Sequence, residues 1–261
     1  MPVGPADGPY CFRIPLRIPF RGVTSREGAL VHGPEGWGEF SPFPGYPPHL
    51  LARWLAAATE AATRPWPPPV RDRIPVNAVI PAVGPEEAHA LATAAGCRTA
   101  KVKVGDDGDE ARVEAVRDAL GLQGRIRVDV NGAWDVDRAV AAIRVLARYG
   151  LEYVEQPVAT VEGMARLRRL VDVPLAADES VRLAPDPTAV DLRGAADLVV
   201  LKVQPLGGVW AALAVAEALG LPCVVSSAVE TSVGLAAGVA LAACLPELPY
   251  DCGLGTVPLL A

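Results

Sequence analysis

Two lysines in one short segment, Lys101 and Lys103, are the first residues of this sequence whose type and spacing suggest chemistry. They lie in the stretch Thr99-Ala-Lys-Val-Lys-Val-Gly105, whose alternation predicts a β-strand with both lysines on one face. Desolvation and mutual repulsion would lower the pKa of such lysines, so that one of them could take a proton from carbon near neutral pH. The alternative is a solvated edge strand with two surface lysines.

Ionisable residues recur near the C-terminal ends of the strands that follow. They are Lys103, Asp129, Glu155, Asp178 and Lys202, each separated from the next by roughly the length of one strand–helix unit. In a barrel of alternating strands and helices, catalytic groups collect at this end of the strands. Converging buried carboxylates with no cation nearby would be very unfavourable, so we interpret the set as a functional site.

The carboxylates of this set are hard oxygen ligands, which favour Mg²⁺ or Mn²⁺ over zinc; they are Asp129, Glu155 and Asp178. The three histidines lie outside the later predicted strands, which argues against an H-x-H metal site and against a Ser or Cys nucleophile with a histidine base. Lys103 and Lys202 would approach a central ligand from opposite sides. The set therefore predicts metal-assisted proton abstraction α to a substrate carboxylate.

Predicted strands alternate with predicted helices from residue 74 onwards, which implies parallel pairing through right-handed crossovers. The strands are Val76–Ala82, Ala100–Gly105, Ile126–Asn131, Tyr153–Gln156, Leu175–Glu179, Leu198–Val203, Cys223–Ser227 and a last one near Tyr250–Leu254. The helices are Pro85–Ala95, Asp109–Leu120, Asp135–Tyr149, Val161–Val171, Val209–Leu219 and Ser232–Cys244. The predicted fold class is α/β, a (β/α)7β TIM-like barrel with an N-terminal α+β capping domain.

Residues 1–72 form the predicted capping domain, to which the C-terminal tail could add, and residues 73–261 form the predicted catalytic barrel. The cap would contain strands Tyr10–Phe20, Gly28–Val31 and Gly36–Phe40, and the helix His49–Thr63. The proline run of residues 64–70 is the predicted boundary.

Composition restricts the class of protein. A hydrophobic content of 51% with 21% charged residues predicts a compact globule, and the net charge of −6 argues against a nucleic-acid partner. The N-terminus lacks the regions of a signal peptide, and the longest apolar run is too short to span a bilayer, which argues against a membrane partner. Five cysteines without a C-x-x-C pair predict reduced thiols and a cytoplasmic location. The oligomeric state stays open.

The ordered motifs resemble the muconate-lactonising subgroup of the enolase superfamily. The motifs are Lys101-Val-Lys103, Asp129-Val-Asn131, Glu155-Gln-Pro157, Asp178-Glu179 and Leu201-Lys202. Superfamily sites are known to combine a Lys or His base with Mg²⁺. Further stretches resemble a hydro-lyase branch of the subgroup: Arg26-Glu-Gly28, Gly36-Trp-Gly-Glu-Phe-Ser-Pro42, Pro44-Gly45 and Val225 to Gly234.

The resemblance implies that Lys103 is the base, that Lys101 gives it electrostatic support, and that Lys202 stabilises an enediolate. The implied reaction is a syn elimination of water from a small carboxylate substrate, with Mg²⁺, or alternatively Mn²⁺, as cofactor. A racemase of N-acylamino acids or a dipeptide epimerase of the same subgroup is the alternative. A non-catalytic metal-binding scaffold is a further alternative, in which the flanking lysines would not be needed.

Four further residues are expected to bind substrate or support the site. Backbone N–H groups of Ser226 and Ser227, helped by the following helix N-terminus, would hold a substrate carboxylate, unless the pair is an ordinary helix cap. Arg26 would reach a substrate carboxylate from the cap, unless it is a surface arginine. Asn131 would orient Asp129, unless it is a turn residue. The cap-loop residues Gly45 and Tyr46 could line the pocket, and Glu179 is expected to point away from the barrel axis, outside the ligand set.

Overall fold

The computed structural model describes residues 8–20 and 22–261. An antiparallel sheet comes first, with strands in the order β1 (Tyr10–Phe20), β2 (Val23–Gly33) and β3 (Gly36–Phe40). Helix α1 (Pro48–Thr63) packs against β3, and this approach requires a glycine at position 38. A Cβ atom on Gly38 would lie 1.8 Å from the carbonyl oxygen of Ala58.

A second sheet of parallel strands follows, in the order β10-β9-β8-β7-β6-β5-β4-β11. Its strands are β4 (Val76–Ile80), β5 (Thr99–Lys103), β6 (Arg125–Asp129), β7 (Leu151–Glu155), β8 (Leu175–Ala177), β9 (Leu198–Leu201), β10 (Cys223–Val225) and β11 (Cys252–Gly255). Valine, isoleucine and leucine dominate these strands, as expected where a sheet is covered by helices and buried on both faces.

Helices separate the strands and bury an apolar face against them. They are α2 (Pro85–Ala95), α3 (Asp109–Leu120), α4 (Val136–Leu146), α5 (Val161–Arg168), α6 (Glu179–Arg182), α7 (Val203–Leu206), α8 (Val209–Leu219) and α9 (Ser232–Cys244). The core between helices and strands includes Val113, Ile143, Met164 and Leu241, all at most 1% exposed. The predicted α/β fold class, a TIM-like barrel with an α+β segment before it, is confirmed.

The ring closes where β10 and β11 meet, through a single bridge between Ser226 and Gly253. The backbone N–H of Ser227 donates to the carbonyl oxygen of Gly253 at 3.1 Å. A Cβ atom on Gly253 would lie 2.4 Å from the Ser226 Oγ atom and 3.1 Å from its Cβ atom, so any larger residue would displace the Ser226 side chain. The closure lies at the C-terminal end of β10, beside the predicted site.

Seven barrel strands, β4 to β10, end one or two residues earlier than predicted, and two of these differences affect the site. Strand β8 stops at Ala177 and β9 at Leu201, so Asp178 and Lys202 lie one residue past their strands rather than inside them. The chain turns at both positions: the Asp178 carbonyl accepts from the N–H groups of Val181 and Arg182, which begins the short helix α6. The prediction that these strands continue to residues 179 and 203 is therefore wrong.

Other boundaries differ by a few residues. Strand β2 is longer than predicted, helix α5 ends at Arg168 rather than at 171, and α4 begins after Asp135, whose side chain caps it. The C-terminal tail reaches the first sheet, since Leu16 pairs with Leu260 and the Ala261 N–H donates to the Pro15 carbonyl. The domain division between residues 72 and 73 stays a prediction.

Candidate active site

The register of the barrel sheet brings the predicted charged residues to one level. Lys103 on β5 lies opposite Asp129 on β6, and Asp129 lies opposite Glu155 on β7. Their side chains point into the barrel. Lys101 points inward as well, because residues two apart on a strand share a face. Asp178 and Lys202 follow the ends of β8 and β9. All five residues predicted from the strand spacing lie at the same end of the barrel.

The two lysines of β5 are ion-paired with buried carboxylates. The Lys101 Nζ atom lies 2.6 Å from Glu155 Oε1 and 3.0 Å from Asp129 Oδ2. The Lys103 Nζ atom donates to Asp129 Oδ2 at 2.5 Å and to Asn131 Oδ1 at 2.7 Å. Because Lys101 is 6% exposed, the reading as a solvated edge strand is wrong.

These ion pairs determine the proton affinities of the site. Burial alone would lower the pKa of Lys101, but the charges of Asp129 and Glu155 outweigh it and raise that pKa. The prediction of a lowered pKa is therefore wrong for Lys101 beside these two carboxyl groups. Burial would raise the pKa of Asp129, yet Lys101 and Lys103 hold it well below its usual range. Burial together with the charge of Asp129 raises the pKa of Glu155 to about 7.

A second group of contacts surrounds Asp178. Its Oδ2 atom accepts from Lys202 Nζ at 2.6 Å, and its Oδ1 atom accepts from Arg182 Nε at 3.0 Å. Burial alone would raise the pKa of Asp178, but Arg182 and Lys202 lower it. Lys202 also lies 3.9 Å from Glu155 Oε1, which joins this group to the lysine–carboxylate pairs of β5.

Arg182 was missed at the sequence level, although its position carried a signal. It is 2% exposed and lies four residues after Asp178, a spacing that brings two side chains together on one helical turn. The guanidinium also donates to Glu179 Oε1 at 2.6 Å, and Asn131 Nδ2 donates to the same oxygen at 3.1 Å. Glu179 thus contacts two residues of the site, whereas its expected direction away from the barrel axis, outside the ligand set, stays a prediction. Asn131 contacts both Asp129 and Lys103, as a supporting residue would.

The predicted metal ligands converge, but each of them is ion-paired with lysine or arginine side chains. Within residues 8–20 and 22–261, no three Asp, Glu, His or Cys side chains are gathered closely enough to enclose a metal ion as they stand. The donor chemistry nevertheless fits a hard divalent cation, since Asp129, Glu155 and Asp178 offer only carboxylate oxygens and are at most 1% exposed. The Glu155 Oε2 atom is buried with no hydrogen-bond partner, which is a position that a cation would satisfy.

Ser226 and Ser227 line the site, but their backbone groups cannot act as predicted. The Ser226 N–H donates to the Leu201 carbonyl beside the β9–β10 pairing, and the Ser227 N–H donates to the Gly253 carbonyl at the ring closure, so both N–H groups are already engaged by backbone carbonyls. The N-terminus of α9 is also occupied: the Glu39 carboxylate, from β3, accepts from the N–H groups of Thr231 at 3.1 Å and Gly234 at 2.9 Å. The prediction that these N–H groups bind an anion is therefore wrong. A role for the serine hydroxyls in binding substrate stays a prediction.

Arg26 lies beside the site rather than in it. Its side chain is 1% exposed, stacks on the Phe43 ring at 4.3 Å, and donates to the carbonyls of Ser41 and of Val229, the latter at 3.1 Å. The prediction that Arg26 binds a substrate carboxylate is not supported, because these carbonyls engage the guanidinium. Val229 has a φ of 60°, a conformation that a β-branched residue adopts only under constraint, and the bond from Arg26 supplies such a constraint.

A cavity of ≈ 30 Å³ lies between the first sheet and the barrel mouth, with room for one or two water molecules. The barrel contributes charged residues to its lining, whereas Phe20 and Phe43 close it from the cap side. The Lys103 ammonium lies 5.0 Å from the centre of the Phe20 ring. Neither Gly45 nor Tyr46 is part of this lining. A ring-sized substrate therefore requires the lining to move outward before it can bind.

Comparisons with known proteins agree with this arrangement. A family described as "Enolase C-terminal domain-like" matches residues 85–259, and one described as "Enolase N-terminal domain-like" matches residues 11–62. The chain belongs to the enolase superfamily. It is an enzyme of that superfamily, and the predicted resemblance is confirmed.

Individual relatives narrow the similarity. The chain is 67% identical over 254 residues to the o-succinylbenzoate synthase of Thermobifida fusca (strain YX), covering 95% of this chain and 80% of that protein. The solved L-Ala-D/L-Glu epimerase from Bacillus subtilis is 26% identical with a TM-score of 0.83, covering 97% of this chain and 90% of the other.

A third relative carries a metal. The dipeptide epimerase of Enterococcus faecalis V583, solved with Mg and the dipeptide L-Leu-L-Tyr, is 24% identical with a TM-score of 0.80, covering 94% and 88% of the two chains. Magnesium thus occurs in a structural neighbour of this fold. Across the described part of this chain, none of the helices has the length and apolar character needed to cross a bilayer.

Proposed function

We propose that this enzyme is a hydro-lyase that forms o-succinylbenzoate in menaquinone biosynthesis. Its substrate would be 2-succinyl-6-hydroxy-2,4-cyclohexadiene-1-carboxylate, which loses one water. The observation that carries the proposal is the placement of Lys103 and Lys202 on opposite sides of a buried carboxylate cluster, at the ends of β5 and β9. The 67% identity to a curated o-succinylbenzoate synthase selects this reaction among those of the superfamily.

The reaction requires one base and one group that stabilises charge. Lys103 removes the proton α to the ring carboxylate, and the electron pair of that C–H bond moves onto the carboxylate as an enediolate. The pair then returns to form the ring double bond as the hydroxyl leaves with the electrons of its C–O bond. Lys103 then delivers the proton to the departing hydroxyl, so that a single lysine on one face completes a syn elimination of water. Lys202 stays charged and stabilises the enediolate that forms on the carboxylate. Lys101 supports the site electrostatically.

Asp129, Glu155 and Asp178 would hold the divalent cation, with Mg²⁺ as the first choice and Mn²⁺ as the second. A cation bound there would neutralise the substrate carboxylate and reduce the attraction that keeps the neighbouring lysines protonated. Charge balance supports this assignment. The ion-paired groups contribute four carboxylates and four cationic side chains, so a divalent cation and a substrate with two carboxylates would enter together without leaving net charge buried.

The decisive test is ultraviolet detection of o-succinylbenzoate formed from the cyclohexadiene substrate. We expect turnover with Mg²⁺, loss of turnover with EDTA, and recovery when Mg²⁺ or Mn²⁺ is added in excess. Lys103→Ala, with Lys101 retained, serves as the control for background dehydration of the substrate. Absence of metal-dependent product with folded wild-type protein would overturn the assignment.

A racemase of N-acylamino acids or a dipeptide epimerase is the second candidate, since the two lysines face each other as two-base chemistry requires. Lys202→Arg separates the candidates: retained charge should leave some dehydration but abolish racemisation. Measuring exchange of the α-proton with solvent deuterium in both substrate classes shows which reaction the wild-type enzyme supports. We further propose a cytoplasmic location and a division into a cap of residues 1–72 and a barrel of residues 73–261.

A further inference from the structure

Tyr46 connects the loop that follows β3 to the barrel. This loop contains Pro44, Gly45 and Pro47, and the Tyr46 ring packs near Phe43 and Trp54, with centroid distances of 6.4 and 6.0 Å. The hydroxyl of Tyr46 accepts a hydrogen bond from Arg182 Nη1 at 2.5 Å. The loop therefore reaches the site through Phe43, which lines the cavity, and through Tyr46, which does not.

Arg182 distributes this contact to two carboxylates. Its Nε atom donates to Asp178 Oδ1 and its Nη2 atom to Glu179 Oε1, so its three nitrogens have three different partners. Asp178 holds Lys202 through its other oxygen. Glu179 accepts from Asn131, which in turn accepts from Lys103. Lys202 and Lys103 are thus both joined to Tyr46 by continuous hydrogen bonds that pass through the Arg182 guanidinium.

The cap helix contacts the same turn independently. Arg53 of α1 donates to the carbonyl oxygens of Arg182 at 3.1 Å, Ala184 at 2.8 Å and Pro185 at 2.7 Å. The first part of the chain therefore contacts the segment after β8 both at its backbone carbonyls and at the Arg182 side chain. Packing between cap and barrel alone would not require residues of the cap to bind three backbone carbonyls and the Arg182 guanidinium of this one segment.

We infer that Tyr46 and Arg182 form a positioning link, through which the seated cap loop fixes the orientation of Asp178. Cation binding at Asp178 and seating of the loop then favour each other, because coupling between two events is reciprocal. The inference rests on the proposed function in one respect, the assignment of Asp178 as a metal ligand. It assigns Tyr46 no contact with substrate, and it uses Arg182, which lines the cavity, only through its bonds to Tyr46 and Asp178.

The test is Tyr46→Phe, which removes one hydroxyl and keeps the ring. Titration calorimetry with MgCl₂ alone, without substrate, measures the dissociation constant of the cation. We expect it to rise about tenfold, since a hydrogen bond to a charged group is lost from the preferred arrangement. Tyr149→Phe is the matched control, because Tyr149 also has its hydroxyl near a carboxylate, 3.4 Å from Glu110 on the surface. That control should bind Mg²⁺ as wild type does.

A double-mutant cycle identifies the route of the effect. Arg182→Lys keeps a positive charge but cannot engage three partners, and adding Tyr46→Phe to it should weaken Mg²⁺ binding no further. If the two substitutions weakened Mg²⁺ binding independently, so that their fold-changes multiplied in the double variant, the link would be contradicted. Steady-state kinetics should show the loss in the KM for substrate and in the Mg²⁺ requirement more than in kcat at saturation.

Arg53→Met offers a second route if Tyr46→Phe disturbs folding, and it should weaken Mg²⁺ binding in the same direction. Its control is Arg64→Met, another contact between cap and barrel, in which the guanidinium stacks on Trp210 at 4.2 Å away from the site. A Mg²⁺ affinity within twofold of wild type in both Tyr46→Phe and Arg53→Met would overturn the inference. A wild-type enzyme that binds Mg²⁺ but forms no o-succinylbenzoate would instead overturn the proposed function and leave this test valid.

Discussion

The barrel interior holds two buried ionic clusters, one above the other. The upper cluster contains Lys101, Lys103, Asp129, Glu155, Asp178 and Lys202. The lower cluster centres on Arg127, two residues before Asp129 on the same face of β6 and fully buried. Its guanidinium donates to Glu152 Oε2 at 2.6 Å, Asn77 Oδ1 at 3.1 Å and the Asp251 carbonyl at 2.5 Å, and stacks over Tyr153 at 4.9 Å.

The two clusters differ in whether their residues line the cavity. Four residues of the upper cluster line the cavity, whereas neither Arg127 nor any of its hydrogen-bonding partners does. In the upper cluster, burial together with the charge of the neighbouring Asp129 raises the pKa of Glu155, whereas the lower cluster surrounds a single cation with acceptors. Burial of charge alone therefore does not identify a catalytic site. Like-charge crowding at an accessible cavity is the better indicator.

The largest effect is expected from Lys103→Ala in the upper cluster. Loss of the general base should lower kcat by about 10²–10⁴-fold. The free energy of unfolding should change little by comparison, because the retained Lys101 still pairs with Asp129. Kinetics and urea denaturation on the same preparation check both parts. A kcat near that of wild type would show that the cluster is structural.

The opposite result is expected from Arg127→Met in the lower cluster. Removing the cation leaves Glu152 with the more distant Arg125, at 3.8 Å, and leaves buried acceptors without the Arg127 donor, which should cost about 3 kcal/mol of stability. Below the unfolding transition, kcat should stay within about threefold of wild type if the chemistry is confined to the upper cluster. If kcat instead falls a hundredfold with stability unchanged, the division between the two clusters is wrong.

A smaller effect is expected at Glu230, a buried carboxyl outside both clusters. Burial, with the charge of Glu39, raises the pKa of Glu230 to about 7. The folded state therefore favours the neutral form, and the resulting stability is present below the ordinary carboxyl pKa and lost as pH rises through 7. Between pH 5 and pH 8, wild type should lose about 2 kcal/mol relative to Glu230→Gln. Parallel stability curves for the two proteins would contradict this assignment.

The sequence was sufficient for the repeating elements and for the upper cluster. Alternation of apolar strands and amphipathic helices has a clear period, and a charged residue near the end of several apolar strands is a strong signal. Lys103, Asp129, Glu155, Asp178 and Lys202 were therefore located correctly at one end of the barrel. Their assigned roles stay predictions.

The rest depends on three-dimensional partners that the sequence does not display. The N–H groups of Ser226 and Ser227 are bonded to backbone carbonyls of the two strands that flank β10, those of Leu201 and Gly253. Arg26 was engaged by carbonyls more than 10 residues away in the chain, and the pKa of Lys101 depended on which carboxylates came nearest. Arg182 lies four residues after Asp178 in the sequence, but this spacing brings the two side chains together only because β8 ends at Ala177 and the chain then turns into α6.

Closure of the ring at Ser226 and Gly253 also has a consequence for the timing of folding. Strand β11 pairs with β4, about 175 residues earlier, and Gly253 then meets the end of β10. During synthesis, the helices and inner strands can form local contacts long before residue 252 leaves the ribosome. The mouth of the barrel cannot take its final shape until that residue has emerged. Fragments that lack β11 should therefore retain much of the helical content and no assembled site.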